Sequence, residues 1–211
     1  MKSIFKKKEE KEREDQYLNF DIYWRQEVTI DRVQNRLNFF IEKCQNKKVL
    51  HFGCTDWPIF NAENNLHIQL SNVTEELHGF DIDTEGIENL RKYVDDKYYS
   101  DFTDVLENEY DVCLIPETIE HVDNVQIFLE NISKINAKVF LITGPNCFAP
   151  EHMSRNFNGD DRFIEIVHPD HNCWYSPYTL TNQIMKYSNL SVNKVSLLEN
   201  ERMVCCEANK K

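Results

Sequence analysis

Two short stretches concentrate the side chains able to do chemistry. Glu117-Thr118-Ile119-Glu120-His121 brings two carboxylates and an imidazole into one run, and His168-Pro169-Asp170-His171 adds two imidazoles and an acid further along. A helix beginning near Thr118 would set Glu120 and His121 three and four residues after Glu117, so that the three converge on one side. Two carboxylates and an imidazole suit Mg, Mn or another hard-to-borderline divalent ion, and the later stretch can offer a further imidazole. Without a metal, His121, His168 or His171 can act as base for a substrate hydroxyl, because imidazole titrates near neutral pH. The plainer alternative has Glu120 capping a helix and His168 on the surface.

Elements earlier in the chain must position these groups. In Lys48-Val-Leu-His-Phe-Gly-Cys-Thr-Asp56 a short apolar run, read as a buried strand, stops at Gly53. Only glycine there takes positive φ freely or lets a ligand lie against the main chain. A second strand, Leu77 to Ile82, ends in Gly79-Phe-Asp-Ile-Asp83. An acid at that place, Asp81, can accept from both hydroxyls of a ribose, while Asp83 and Thr84 cap the helix that follows. Asp101, closing a short Tyr98-Tyr99 strand, can accept from an adenine amino group or act as a cap.

The body alternates strand and helix. Leu66, Leu70 and Val73 mark one helix and Ile87, Leu90 and Val94 the next; Val112 to Ile115 and Lys138 to Thr143 are strands around a helix lined by Val125, Phe128, Leu129, Ile132 and Ile135. Such alternation predicts parallel strands with right-handed crossovers and ligands at their carboxyl ends. From Thr29 to Cys44, apolar residues at three- and four-residue spacing predict one further helix. Gly144 to Ser176 is a long loop of the kind that forms lids and binding loops. Ser176-Pro177 starts a helix, and Leu190 to Leu198 with Arg202 to Glu207 predict a terminal hairpin.

Val49-Leu-His-Phe-Gly-Cys, Gly79-Phe-Asp-Ile-Asp, Ser100-Asp-Phe and Asp111-Val-Cys-Leu-Ile-Pro-Glu-Thr-Ile-Glu-His-Val122 occur in order. Together they resemble the successive motifs of class I S-adenosylmethionine-dependent methyltransferases, over residues 48 to 207. The resemblance implies an α/β fold, a Rossmann-like three-layer sandwich whose seven-stranded, mostly parallel sheet ends in a C-terminal antiparallel hairpin. It implies S-adenosylmethionine held by Phe52, Gly53, Cys54, Thr55, Asp81, Ile82, Asp101, Phe102 and Glu117. The family's first motif carries Gly-x-Gly, whereas this chain has Gly53-Cys54-Thr55-Asp56. Thr55 narrows the approach to the donor's amino-acid part, although Thr55 and Asp56 can hydrogen-bond its ammonium group. Trp57, Phe102 and Trp174 are candidate walls for adenine or substrate, or plain packing.

Glu117-x-x-Glu120-His121 with a later Asp170-His171 is also similar to metal-dependent small-RNA 2′-O-methyltransferases. That match implies Glu117, Glu120, His121 and His171 as ligands of Mg or Mn. His-Pro-Asp-His followed by Trp-Tyr-Ser-Pro looks like methyltransferases that accompany cell-surface polysaccharide assembly, which points to O-methylation of a small-molecule or saccharide acceptor. The alternatives are an RNA 2′-O-methyltransferase and a non-catalytic binding protein that keeps the fold.

The chain of 211 residues is long enough for one α/β domain, expected at 29–211, behind a Lys/Glu-rich N-terminal arm or helix at 1–28. A net charge of -12 speaks against nucleic acid as a partner, since backbone affinity comes from Lys and Arg. Seven cysteines without a Cys-x-x-Cys pair fit reduced thiols. No apolar run approaches a membrane span and no signal-peptide apolar region is present. A cytoplasmic location is the expectation.

Overall fold

The computed structural model describes residues 24–150, 157–158, 162–163 and 167–211, so most of the expected N-terminal arm lies outside the described residues. Ten strands and six helices are described: β1 (Ile30–Val33), α1 (Arg36–Cys44), β2 (Lys48–Phe52), α2 (Leu66–Ser71), β3 (Glu76–Phe80), α3 (Thr84–Leu90), β4 (Lys97–Tyr99), α4 (Phe102–Val105), β5 (Glu109–Ile115), α5 (Val125–Ile132), β6 (Asn136–Pro145), β7 (Phe157–Asn158), β8 (Arg162–Phe163), α6 (Pro177–Tyr187), β9 (Leu190–Leu198) and β10 (Met203–Lys210).

Eight strands form one sheet in the order β1-β9-β10-β6-β5-β2-β3-β4. Strands β2 to β6 pair in parallel, and β10 runs antiparallel to both β6 and β9. The chain goes outward from β2 through β3 to β4, then returns to the other side of β2 with β5 and continues to β6. This reversal opens a crevice above the carboxyl ends of β2 and β5, where ligands bind in such sheets.

Period-two alternation sorts the strand residues between two faces. Leu50, Phe52, Cys113 and Ile115 pack with Leu129 and Ile132 of α5 and Leu180 and Ile184 of α6. On the opposite face Val49, Val112 and Leu114 pack with Phe39 and Phe40 of α1 and Leu66 and Leu70 of α2. Each large apolar side chain so buried contributes about 1.5–3 kcal/mol, and the two layers make the rigid base under the crevice.

Two local expectations are corrected. Residues 29–44 are not one helix: Ile30 to Val33 form β1, an eighth strand parallel to β9. The Asn35 side chain accepts from Asn38 N–H at 2.8 Å and caps α1, which stops the helix from extending backward. The β-branched Ile30 and Val33 instead cover the open edge of β9. Nor does a helix start at Thr118. Glu117 takes φ of 45°, a single turn closes from His121 N–H to Thr118 O at 3.1 Å, and α5 waits for its own cap, Asn124.

Candidate active site

Two loops meet over the crevice, one after β2 and one after β5. Gly53, at φ 71°, turns the chain out of β2. A Cβ there would stand 2.6 Å from Thr118 Oγ1, so the glycine is needed both for its dihedral and for the close approach of the second loop. Glu117 holds the left-handed conformation without being glycine, a strain of about 1–2 kcal/mol. Its N–H donates to Thr143 Oγ1 at 2.9 Å, and its carboxylate pairs with Arg36 of α1 at 2.7 Å. Both contacts hold the strained residue at the cavity wall.

A cavity of about 530 Å³ lies between these loops, lined among others by Arg36, His51, Gly53, Thr55, Glu117, Glu120, His121, His168 and His171. The three expected catalytic histidines therefore face one space. Ring centroids of His121 lie 5.3 Å from His168 and 4.6 Å from His171. The loop carrying the latter two is clipped to the turn after β5: Asn172 N–H donates to Glu120 O at 2.8 Å and His171 N–H to His168 O at 3.0 Å. Tyr175, 1% exposed, anchors the loop's far end, donating through its N–H to Pro145 O at 2.9 Å. Burial, then the neighbouring His168, holds the His121 imidazole below its ordinary pKa.

The expected metal ligands do not assemble as one set. One ligand nitrogen from each of His121, His168 and His171 lies within 4.8 Å of the others, and this is the one such group among the described residues. Glu117 and Glu120 fall outside it, since Glu117 faces Arg36. Glu120 is 1% exposed, both its carboxylate oxygens lack a hydrogen-bond partner, and burial raises its pKa to about 8. Three imidazoles beside an unpartnered buried carboxylate fit a divalent cation, and nitrogen ligands suit Zn, Ni or Fe better than Mg.

The residues expected to hold the donor divide between two places. Gly53, Thr55 and Glu117 line the cavity. Phe52 and Cys54 turn inward, Phe52 against Phe80 at 4.4 Å and Cys54 into a small cluster with Ile87, Leu90 and Tyr98. Only their backbones remain for a ligand. Asp81, Ile82, Asp101 and Phe102 lie outside the cavity, beyond Thr55. Asp81 Oδ2 accepts from Thr55 N–H and Oγ1–H, both at 3.0 Å, and Oδ1 from Asp83 N–H at 3.0 Å. With two lone pairs per oxygen, one acceptor position is left at Oδ1. Asp101 caps α4, accepting from Thr103 N–H and Oγ1–H at 2.8 Å, contacts that hold its pKa down. Ile82 is 84% exposed beside Asp81 and offers a bare apolar surface. Trp57 lines the main cavity, and Trp174 an adjoining one of about 410 Å³ that shares Arg36, Glu117, His168 and His171.

Arg36, His51, Asn172 and Tyr175 were not among the expected site residues. His51 carries a readable signal, a polar side chain inside an apolar strand. Arg36 carries none, because its place depends on how α1 docks.

No protein-family model and no curated protein sequence matches the chain. Solved structures do. The chain is similar to an S-adenosylmethionine-dependent methyltransferase from Mesorhizobium loti (TM-score 0.53, 10% identity, 82% of this chain and 95% of that one). It is similar to magnesium protoporphyrin IX methyltransferase from Synechocystis, solved with bound S-adenosylhomocysteine (TM-score 0.51, 10% identity, 83% and 80%). A further likeness is to the Pnkp1/Rnl/Hen1 RNA repair complex (TM-score 0.57, 15% identity), where 83% of this chain spans 41% of that one. The fold is that of the S-adenosylmethionine-dependent methyltransferases, and β1 at the β9 edge is one strand more than the seven expected from the sequence.

Proposed function

We propose that this protein is an S-adenosylmethionine-dependent methyltransferase acting on an oxygen of a small or saccharide-like acceptor. One observation carries the reading: the glycine turn after β2 and the three histidines face the same cavity at the β2/β5 reversal. The methyl donor supplies an electrophilic methyl group on a sulfonium. Backbone at Gly53 and Thr55 would line its amino-acid half, the remaining Oδ1 position of Asp81 would take a ribose hydroxyl, and Ile82 and Phe102 would pack on the adenine. Thr55 leaves a narrower passage between those two regions than a second glycine would.

Transfer to a hydroxyl releases a proton, and with no cation on the imidazole cluster His121 accepts it. Its lowered pKa keeps it neutral at pH 7, as a base must be, and a positioned base contributes roughly 10²- to 10⁴-fold. Aligning donor and acceptor contributes as much or more, so His121→Ala retains residual activity. The test is release of S-adenosylhomocysteine with mono- and oligosaccharide acceptors. Thioether binding without transfer to any hydroxyl would leave a binding protein with this fold.

A second reading, RNA 2′-O-methylation with a divalent cation, is favoured by the imidazole cluster and by the likeness to the repair complex. The same cluster would hold the cation beside the acceptor and could orient vicinal hydroxyls. RNA ending in free 2′- and 3′-hydroxyls, offered against the saccharides, separates the two readings. Activity unchanged by a chelator would exclude the metal.

A further inference from the structure

Two further cavities adjoin the main one, and the chemistry above leaves both unassigned. The cavity of about 410 Å³ that holds Trp174 shares Glu117, His168 and His171 with the main cavity, so the two imidazoles stand in the wall between them. The other, of about 470 Å³, is lined among others by Gln34, Glu63, Asn64 and Gln69. These two cavities meet at Arg36 and Glu199, which line both. One trough therefore runs past the main cavity, with Trp174 in its first half and Gln69 in its second.

The middle of the trough is built on the turn between β9 and β10. Glu199, Asn200 and Glu201 take φ of 52°, 54° and 67°, three successive left-handed residues without a glycine. Such a turn persists only where its surroundings over-determine it, and here it is held from both sides. Glu199 N–H donates to Val33 O at 2.9 Å, and Arg32 pairs with the Glu201 carboxylate. From the other side Asn146 gives its Nδ2–H to Glu201 O at 2.7 Å and its N–H to Arg202 O at 2.8 Å. Strand β1 thus does more than cover an edge: it fixes the Glu199 turn and, one residue beyond Val33, delivers Gln34 to the trough.

The lining selects the occupant. Amide side chains both donate and accept, carboxylates accept, and a sugar hydroxyl answers either. The indole of Trp174 offers an apolar ring to the C–H face of a pyranose. The described lining of the two cavities sets three carboxylates, Glu63, Glu117 and Glu199, against the guanidiniums of Arg36 and Arg202, with no lysine. A phosphate backbone draws its affinity from an excess of Lys and Arg, which this lining lacks. Each cavity is in the size range that encloses a whole drug-sized ligand, so a single sugar ring leaves most of the trough empty. We propose that the trough is the acceptor site for an uncharged oligosaccharide chain, which lies from Trp174 across Glu199 to Gln69 and turns one hydroxyl through the histidine wall toward the methyl group. The inference rests on the methyl-donor reading and deepens it, from a saccharide-like acceptor to a chain of several sugar units.

Calorimetric titration of the full chain, with and without S-adenosylhomocysteine, tests this with β-1,4-linked glucose, mannose and N-acetylglucosamine oligomers of one to six units. In at least one series affinity should rise with length by about ten- to hundredfold and level off once the trough is filled. Gln34→Ala combined with Gln69→Ala should remove most of that rise and leave the single sugar nearly unchanged. Trp174→Ala should weaken every length and Trp174→Phe should restore most of the loss, while thermal unfolding checks that each variant folds. Affinity independent of length, no binding in any series, or an equal loss for one and six units in the Gln34/Gln69 variant would overturn the proposal. Tighter binding of a six-nucleotide RNA than of any sugar would overturn it too. In each of these cases the methyl-donor reading stands if S-adenosylhomocysteine still binds. Failure to bind S-adenosylhomocysteine, with the length-dependent sugar affinity intact, would instead overturn that reading and leave the trough as a saccharide-binding site.

Discussion

Thr55 gives both its backbone N–H and its hydroxyl to one oxygen of Asp81, each at 3.0 Å. The residue that stands where the resemblance expects a second glycine is thereby tied to the carboxylate proposed to take a ribose hydroxyl. Its bulk is accommodated on the other side by Gly86 of α3, where a Cβ would meet Thr55 Cβ at 2.8 Å. The loop and the first turn of α3 have exchanged a side chain for a hydrogen between them.

That exchange predicts a coupling. Gly86→Ala should destabilise the protein by about 1–3 kcal/mol through overpacking. Thr55→Gly removes the atoms struck, so in the double variant the Gly86→Ala cost should shrink by about 1 kcal/mol or more in urea unfolding at unchanged m. Asp83 Oδ2, also 2.8 Å from the added Cβ, can swing aside because Oδ1 makes the cap. Additive losses would disprove the exchange.

Glu120 predicts a pH dependence of stability in metal-free protein. Its folded pKa is raised to about 8 by burial, above the model-peptide value of 4.5. A raised carboxyl pKa means the folded state holds a proton that the unfolded state releases, so its contribution is full below pH 4.5 and is lost as pH climbs to about 8. Glu120→Gln lacks that slope. The variant should gain on the parent across this window, by on the order of a few kcal/mol at the top of it, as read by denaturant midpoints at several pH values.

The imidazole cluster predicts metal binding without reference to turnover. Zn²⁺ or Ni²⁺ should raise the midpoint of thermal unfolding, and Co²⁺ should give visible absorption bands from nitrogen coordination. His168→Ala should lower the affinity at least about tenfold by removing one of three ligands, while Glu117→Gln should change it little. Tight Mg²⁺ binding that survives His168→Ala would point back to the carboxylates.

Tyr175 predicts a structural cost that reaches the histidines. The ring is buried against Gly144 and its hydroxyl lies 3.5 Å from Ile119 O and 3.0 Å from Cys173 Sγ. Tyr175→Phe should cost about 1 kcal/mol for the lost hydroxyl, and Tyr175→Ala about 3–5 kcal/mol through the cavity left behind. In both, ring resonances of His168 and His171 should shift more than that of His51, because Tyr175 anchors their loop.

Much of the fold was legible because its signals are local. The apolar runs of β2, β3, β5 and β6, the Ser176-Pro177 helix start and the terminal hairpin each follow from residues next to one another, and alternation of strand and helix admits few topologies. The expectation at 29–44 failed where two local signals competed. Ile30 and Val33 fit a helical spacing, but the Asn35 cap and the open edge of β9, a partner far away in sequence, decided for a strand.

The sequence by itself determined which chemistry was on offer: a glycine turn, acids after the strands, and histidines in two short runs. Which of these groups meet was decided by tertiary structure. Glu117 and Glu120 share a motif with His121, yet a left-handed residue at 117 sends Glu117 to Arg36 and buries Glu120, while a distant loop clipped by Asn172 brings His168 and His171 to His121. Asp81 reads as a ribose acceptor, but Thr55 and the Asp83 N–H together fill three of its four lone-pair positions. Side-chain type follows from the code at one position, whereas the direction and partners of a side chain depend on backbone dihedrals and neighbours that only the packed chain supplies.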